Sequence, residues 1–191
     1  MKYVLFDYGN VICLPQTAED AARVTLGDPR AEERYWELRL EYDRGALTED
    51  QYWSGVYGRP VDGGELDGVL SLDAASWSVP NEETVAIIEE LAAGGVPMAL
   101  LSNAPAAVAD RIDGLPFLAR LRPRLYSARM GLVKPDETIY LRAAENMGAD
   151  PADVVFVDDR LENIEGAERA GMTGIHFRNA SQLRDDLKLV L

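Results

Sequence analysis

Four short, almost uninterrupted apolar runs constrain the fold more than anything else in the sequence. They are Tyr3 to Phe6, Met98 to Leu101, Val154 to Val157 and Gly174 to Phe177, each leading into turn residues and a helical pattern. A strand with one face in water alternates apolar with polar residues. A run without alternation suits a strand buried on both faces, as in a parallel sheet between helical layers. Arg124 to Ser127 is a candidate fifth run. The stretch Glu82 to Ala93 places Val85, Ile88 and Leu91 at three-residue spacing, starts after a capping Asn81 and stops at Gly94-Gly95. Asp136 to Met147 starts after Pro135, a residue suited to a first helical turn, and Ile164 to Ala170 ends before Gly171. Strand–helix alternation of this kind implies right-handed crossovers and a doubly wound, Rossmann-like α/β core.

Residues 14–80 read differently. Helical patterns follow one another (Ala18 to Leu26, Arg30 to Asp43, Glu49 to Tyr57, Glu65 to Trp77) with no strand among them, and Thr48 with Gln51 forms a capping-box signature. The expected organisation is therefore a core of residues 1–13 and 81–191, with a helical insert at 14–80.

Open α/β sheets bind their ligands at the carboxyl ends of the strands. The first run ends at Asp7, the second at Ser102-Asn103 and the third at Asp158-Asp159, while Lys134 precedes Pro135 at the mouth of a helix. Three carboxylates brought onto one rim raise one another's pKa and call for a cation. A hard divalent ion with oxygen ligands answers that, and Mg²⁺ is the usual partner of carboxylates plus phosphate. Ser102 can hydrogen-bond a phosphate oxygen, helped by backbone N–H groups at the start of the next helix, and Lys134 supplies a positive centre. An aspartate is then a reasonable covalent nucleophile for phosphoryl transfer.

That local positive centre matters because the chain as a whole carries a formal charge of −14. Such a field repels a phosphate backbone, and no basic stripe offsets it, so nucleic acid is not an expected partner. No apolar run approaches the ~20 residues of a membrane helix. Met1 to Phe6 is apolar, but Asp7 interrupts it and no small-residue cleavage site follows, so it reads as a strand rather than a leader. The one cysteine, Cys13, excludes an internal disulfide and fits a reducing, cytoplasmic setting. Oligomeric state is not legible.

Four segments together resemble the motifs of the haloacid dehalogenase superfamily, in their usual order: VLFDYGNVI, ALLSNA, GLVKPD and VVFVDDRLENIEGAERAG. The resemblance spans the chain and implies that the helical insert is a cap over the site. It implies Asp7 as a nucleophile that forms an aspartyl-phosphate, Ser102 with Asn103 as the phosphate-binding strand end, and Lys134 as the neutralising lysine. Asp158 and Asp159 match the acidic pair that holds Mg²⁺, directly or through water, with the Gly9 carbonyl as a further ligand. Asn163 matches a polar position after that pair, and reads equally well as a helix cap or first-turn residue. The implied activity is hydrolysis of small phosphorylated metabolites.

One departure stands out. Phosphatases of the superfamily carry a second aspartate two residues after the nucleophile, as acid and base, and here that position is Gly9, followed by Asn10. Three readings follow. Turnover is kept through water or a cap residue, as suits sugar phosphates with good leaving groups; a branch of sugar-phosphate phosphatases looks similar at this position. Alternatively the protein binds a phosphorylated ligand or a protein partner with little or no catalysis. The third is dehalogenase-like chemistry, against which the acidic pair speaks. His176 is expected as a partly buried strand residue and Cys13 as a small core residue. Trp36, Arg39, Tyr42, Asp43, Arg44, Tyr52 and Trp53 are expected mainly as the cap's own core and solvated face. One or two of them should touch substrate, Arg44 foremost.

Overall fold

All five apolar runs become strands of one parallel sheet in the computed structural model, which describes residues 1–191. They are β1 (Tyr3–Phe6), β2 (Met98–Ser102), β3 (Arg124–Tyr126), β4 (Val154–Asp158) and β5 (Thr173–His176), in the order β3-β2-β1-β4-β5. The register pairs Leu5 with Ala99 on one side and with Phe156 on the other, so β1 lies at the centre. Side chains alternate across the sheet. Val4 and Phe6 enter one apolar layer, and Leu5 enters the opposite one with Ala99 and Phe156.

The helices are α1 (Ala18–Val24), α2 (Pro29–Glu37), α3 (Arg39–Asp43), α4 (Glu49–Tyr57), α5 (Gly63–Ser76), α6 (Glu82–Ala93), α7 (Ala106–Ile112), α8 (Ser127–Met130), α9 (Glu137–Met147), α10 (Leu161–Arg169) and α11 (Ala180–Val190). Residues of α6, α7 and α11 (Ile88, Ile112 and Leu187) share the first layer, and residues of α9 and α10 (Tyr140 and Ala167) share the second. The doubly wound α/β core is thus present, with both sheet faces covered.

Helices α1 to α5 hold a separate apolar cluster built on Tyr35, Tyr42, Tyr52 and Trp53, with the Tyr42 and Tyr52 rings stacked at 4.0 Å. The expected helix from Arg30 to Asp43 is in fact two, α2 and α3, meeting at Leu38. The Leu38 side chain lies so close to Gly55 that a Cβ there would stand 2.7 Å from it. The break sets Leu38 down on α4 while Arg39 and Asp43 face the core. The chain leaves and re-enters the core through two adjoining segments: Leu14 N–H donates to Val79 O at 2.8 Å and Asn81 N–H to Ile12 O at 2.7 Å.

Candidate active site

With β1 flanked by β2 and β4, the residues that end these strands meet. Asp7 is buried, and its N–H donates to Val157 O at 2.8 Å. Asp7, Asp158 and Asp159 each offer a carboxylate oxygen, all within 4.8 Å of one another. Lys134 enters from the loop before α9, its Nζ 2.5 Å from Asp7 Oδ1 and 2.7 Å from Asp158 Oδ2. Asn103 holds it there: its Oδ1 accepts from Lys134 N at 2.9 Å and its Nδ2 donates to Lys134 O at 3.0 Å. The side chain of Asn103 is therefore spent on placing the lysine, leaving only its backbone N–H for a ligand.

Burial pushes the Asp7 carboxyl above the usual carboxylate range; Lys134 opposes that shift, and Asp158 and Asp159 add to it. Burial also works against the Lys134 charge, but Asp158 and Asp7 overcome it and hold the ammonium above the ordinary lysine value. One ammonium beside three carboxylates leaves negative charge unbalanced, and every free donor is a hard oxygen. The residues fit Mg²⁺.

The acidic pair divides its work. Asp158 accepts from Asn163 Nδ2 (2.9 and 3.0 Å), Arg160 N (2.9 Å) and Lys134, so both its oxygens are engaged. The Asp159 carboxylate accepts only from Asn10 Nδ2, at 2.8 Å. Asn10 adopts a left-handed φ of 60°, which asparagine tolerates better than most residues. The Gly9 carbonyl accepts from no backbone N–H. Asp7, Asp159 and the Gly9 carbonyl therefore keep free oxygens for a cation. Asn163 is no N-cap, since Arg160 holds that position; it grips Asp158 from the first turn of α10.

Backbone N–H groups of Tyr8, Gly9 and Asn103 find no acceptor in the protein. Orphan donors of this kind are rare in folded chains. Here they sit at the ends of β1 and β2, around a cavity that Ser102 also lines, with its Oγ unpartnered and open. Donors grouped in this way suit a phosphate or another oxyanion.

The cavity, of about 440 Å³, lies between this rim and the cap. Of the cap residues expected to divide between core and pocket, Trp36, Arg39 and Asp43 line it, together with Leu40. Tyr42, Tyr52 and Trp53 form the cap's core. Arg44 is not on the wall, a correction: α3 turns Arg39 and Asp43, one helical turn apart, toward the core, and Arg44 lies just beyond that face. Trp36 and Leu40 are about half exposed, apolar surface at the mouth. Trp77 also lines the cavity, with its ring 3.7 Å from where a Cβ on Gly9 would sit. Asn10 entered the sequence reading only as the residue after Gly9, and Trp77 only as the end of an expected helix. His176 is exposed rather than partly buried, because it ends the edge strand β5; its Nε2 lies 2.9 Å from Asp159 O. Cys13 is fully buried, and burial pushes its thiol up to about 11, so it is an unreactive core residue.

Comparison with known proteins adds to this geometry. A model of the haloacid dehalogenase-like hydrolases matches residues 1–171. The chain is 29% identical over 150 residues to flavin mononucleotide hydrolase 1 of Arabidopsis thaliana, covering 78% of this chain and 60% of that one. It thus spans about three fifths of that plant relative's length. It is 25% identical over 183 residues to a sesquiterpene phosphatase of Aspergillus oryzae, covering 94% of this chain and 91% of that one. A haloacid dehalogenase family enzyme of Bacteroides thetaiotaomicron, solved with magnesium and inorganic phosphate, shares the fold: TM-score 0.74, 18% identity, 93% and 94% of the two chains covered. No helix is long and apolar enough to cross a membrane.

Proposed function

The chain belongs to the haloacid dehalogenase-like hydrolase family, and we propose that it is a Mg²⁺-dependent phosphatase of small phosphorylated metabolites that works through an aspartyl-phosphate on Asp7. The observation that carries this is the pairing of a buried aspartate with Lys134 beneath a ring of unpartnered N–H donors. The phosphatase relatives, named for flavin mononucleotide and for sesquiterpene, support the same reaction class.

Asp7, Asp159 and the Gly9 carbonyl would hold the ion, with Asp158 behind them. The bound ion would shield the incoming phosphate from the carboxylates and stabilise charge on the transferring group. The chain's own groups do the rest. Ser102 Oγ and the N–H groups of Tyr8, Gly9 and Asn103 hold the phosphoryl oxygens, and Lys134 faces the nucleophile and offsets its charge. Asp7 attacks phosphorus, and water then cleaves the acyl-phosphate. The cap, residues 14–80, closes over the cavity and excludes bulk water. Its Trp36 and Leu40, with Trp77, favour a leaving group that presents an apolar or ring face, which admits sugar rings as well as flavins and isoprenoids. A lone buried cysteine suits cytoplasmic residence.

The test is phosphate release from a panel of sugar 1-phosphates, flavin mononucleotide, prenyl phosphates and p-nitrophenyl phosphate, with and without Mg²⁺, for the parent and Asp7→Asn. Magnesium-dependent release that disappears in Asp7→Asn is expected. Silence from a folded, Mg²⁺-binding protein would favour a ligand-binding role instead. Release that survives Asp7→Asn would overturn the assignment.

A further inference from the structure

The reading above leaves a gap: no group on β1 can protonate the leaving group or activate the hydrolytic water. Gly9 has no side chain, and Trp77 stands where one would extend, since a Cβ at Gly9 would already touch the indole at 3.7 Å. The missing acid therefore has to come from another wall of the cavity.

Three carboxylates line that cavity, Asp7, Asp43 and Asp159. Asp7 and Asp159 belong to the cation-binding cluster. Lys134 is locked between two carboxylates, and the Tyr8 hydroxyl donates to Trp77 O while burial raises its pKa far out of range. Arg39 and Arg160 do not release protons near neutrality. Asp43 remains.

Its geometry suits the task. Asp43 Oδ1 accepts from Arg39 Nε at 2.9 Å, which fixes the plane of the carboxyl. Oδ2 has no protein partner and is not sealed from solvent, so it opens onto the cavity. The backbone is equally well held. Ser127 Oγ donates to Asp43 O and accepts from Ala104 N at 2.9 Å, which ties the cap residue to the loop that follows Ser102 and carries Asn103. Two residues on, Gly45 passes so near Ala128 that a Cβ would stand 3.1 Å from its carbonyl oxygen. Asp43 therefore sits on a braced segment, fixed relative to the phosphate rim.

We propose that the Asp43 carboxyl, carried in by the cap, is the general acid–base of this enzyme, in place of the side chain absent at Gly9. The proposal rests on the phosphatase reading. In the first half-reaction a bond forms between Asp7 and phosphorus as the bond from phosphorus to the leaving oxygen breaks, and the proton of Asp43 passes to that oxygen. In the second, water attacks phosphorus, its proton returns to Asp43, and the bond to Asp7 breaks. The carboxyl ends as it began. Burial supports the role: it pushes Asp43 up to about 6 against the pull of Arg39, with Asp73 adding to the rise and Lys134 opposing it. A carboxyl in that range can both give and take a proton near neutrality.

The test compares parent, Asp43→Asn and Asp43→Glu on alkyl phosphates, whose leaving oxygen needs a proton, and on p-nitrophenyl phosphate, whose leaving group departs without one. Asp43→Asn should lower kcat about 10²–10⁴-fold on alkyl phosphates, with a loss at least about tenfold smaller on p-nitrophenyl phosphate. Asp43→Glu should restore part of the alkyl rate. Magnesium binding and Tm, measured in parallel, separate this from misfolding. Should Asp43→Asn not fold, a leaving-group dependence in Asp43→Glu steeper than the parent's supports the role, and an unchanged one overturns it. Equal losses on both substrates, or none, would overturn the proposal while Asp7→Asn still reports a working phosphatase. A parent inert on every ester would overturn both.

Discussion

At the scale of single residues, the site is organised by neighbours that do no chemistry themselves. Asn103 holds Lys134 by its backbone, Asn163 holds Asp158, and Asn10 holds Asp159. Each amide fixes one charged group, and none carries a charge that would compete with the substrate. The two acids of the pair are consequently not equivalent. Asp158 is saturated by protein donors, whereas Asp159 is half-buried and keeps oxygens free. Asp159→Asn is therefore expected to fold normally and to bind Mg²⁺ at least about tenfold more weakly, as titration calorimetry would show. An affinity equal to the parent's would move the ion away from Asp159.

Between elements, close approach matters more than charge. Helix α10 packs on the Lys134 loop through Gly166, where a Cβ would lie 2.6 Å from Pro135 O and 2.9 Å from the Tyr140 ring. One of those atoms is backbone, so it cannot swing aside. Gly166→Ala should cost about 1–3 kcal/mol of stability and should also lower kcat, because the loop that yields is the one presenting Lys134. Thermal melting and phosphate-release rates check the two effects together. A loss of stability with full activity would show that α10 moves instead of the loop.

Across the whole molecule, cap and core meet through apolar contact of α5 with α7, where Ala107 joins the cap's cluster, and through hydrogen bonds. Among the latter are those of the adjoining segments around Leu14 and Val79 and the contact of Ser127 with Asp43 and Ala104. Ser127 is fully buried, so Ser127→Ala leaves the Ala104 N–H without its acceptor, at a cost of about 1–3 kcal/mol. It also frees the cap segment that bears Asp43. The expected result is a higher KM together with faster hydrogen exchange across residues 39–45. Unchanged exchange would mean that the apolar contacts of the cap suffice to seat it.

The core was legible in the sequence because strands buried on both faces cannot alternate, and the runs at Tyr3, Met98, Val154 and Gly174 do not. Asp7, Ser102, Asp158 and Asp159 were legible for a related reason: a parallel sheet delivers whatever ends its strands to one edge. Lys134, which ends no strand, was legible from its place before Pro135 at a helix mouth and from the resemblance carried by GLVKPD. The cap wall was not. Helical periodicity says which residues share a face but not which neighbour that face meets, so Asp43 and Trp36 looked no different from Tyr42 and Trp53. The break at Leu38 and the docking of Ser127 on Asp43 decided which side chains reached the cavity, and so where Asp43 stands relative to the empty place at Gly9. Order along the chain determined which acids meet at the sheet edge, since that depends on where strands end. Long-range packing between cap and core decided what covers them, because those contacts join residues with no pattern in common.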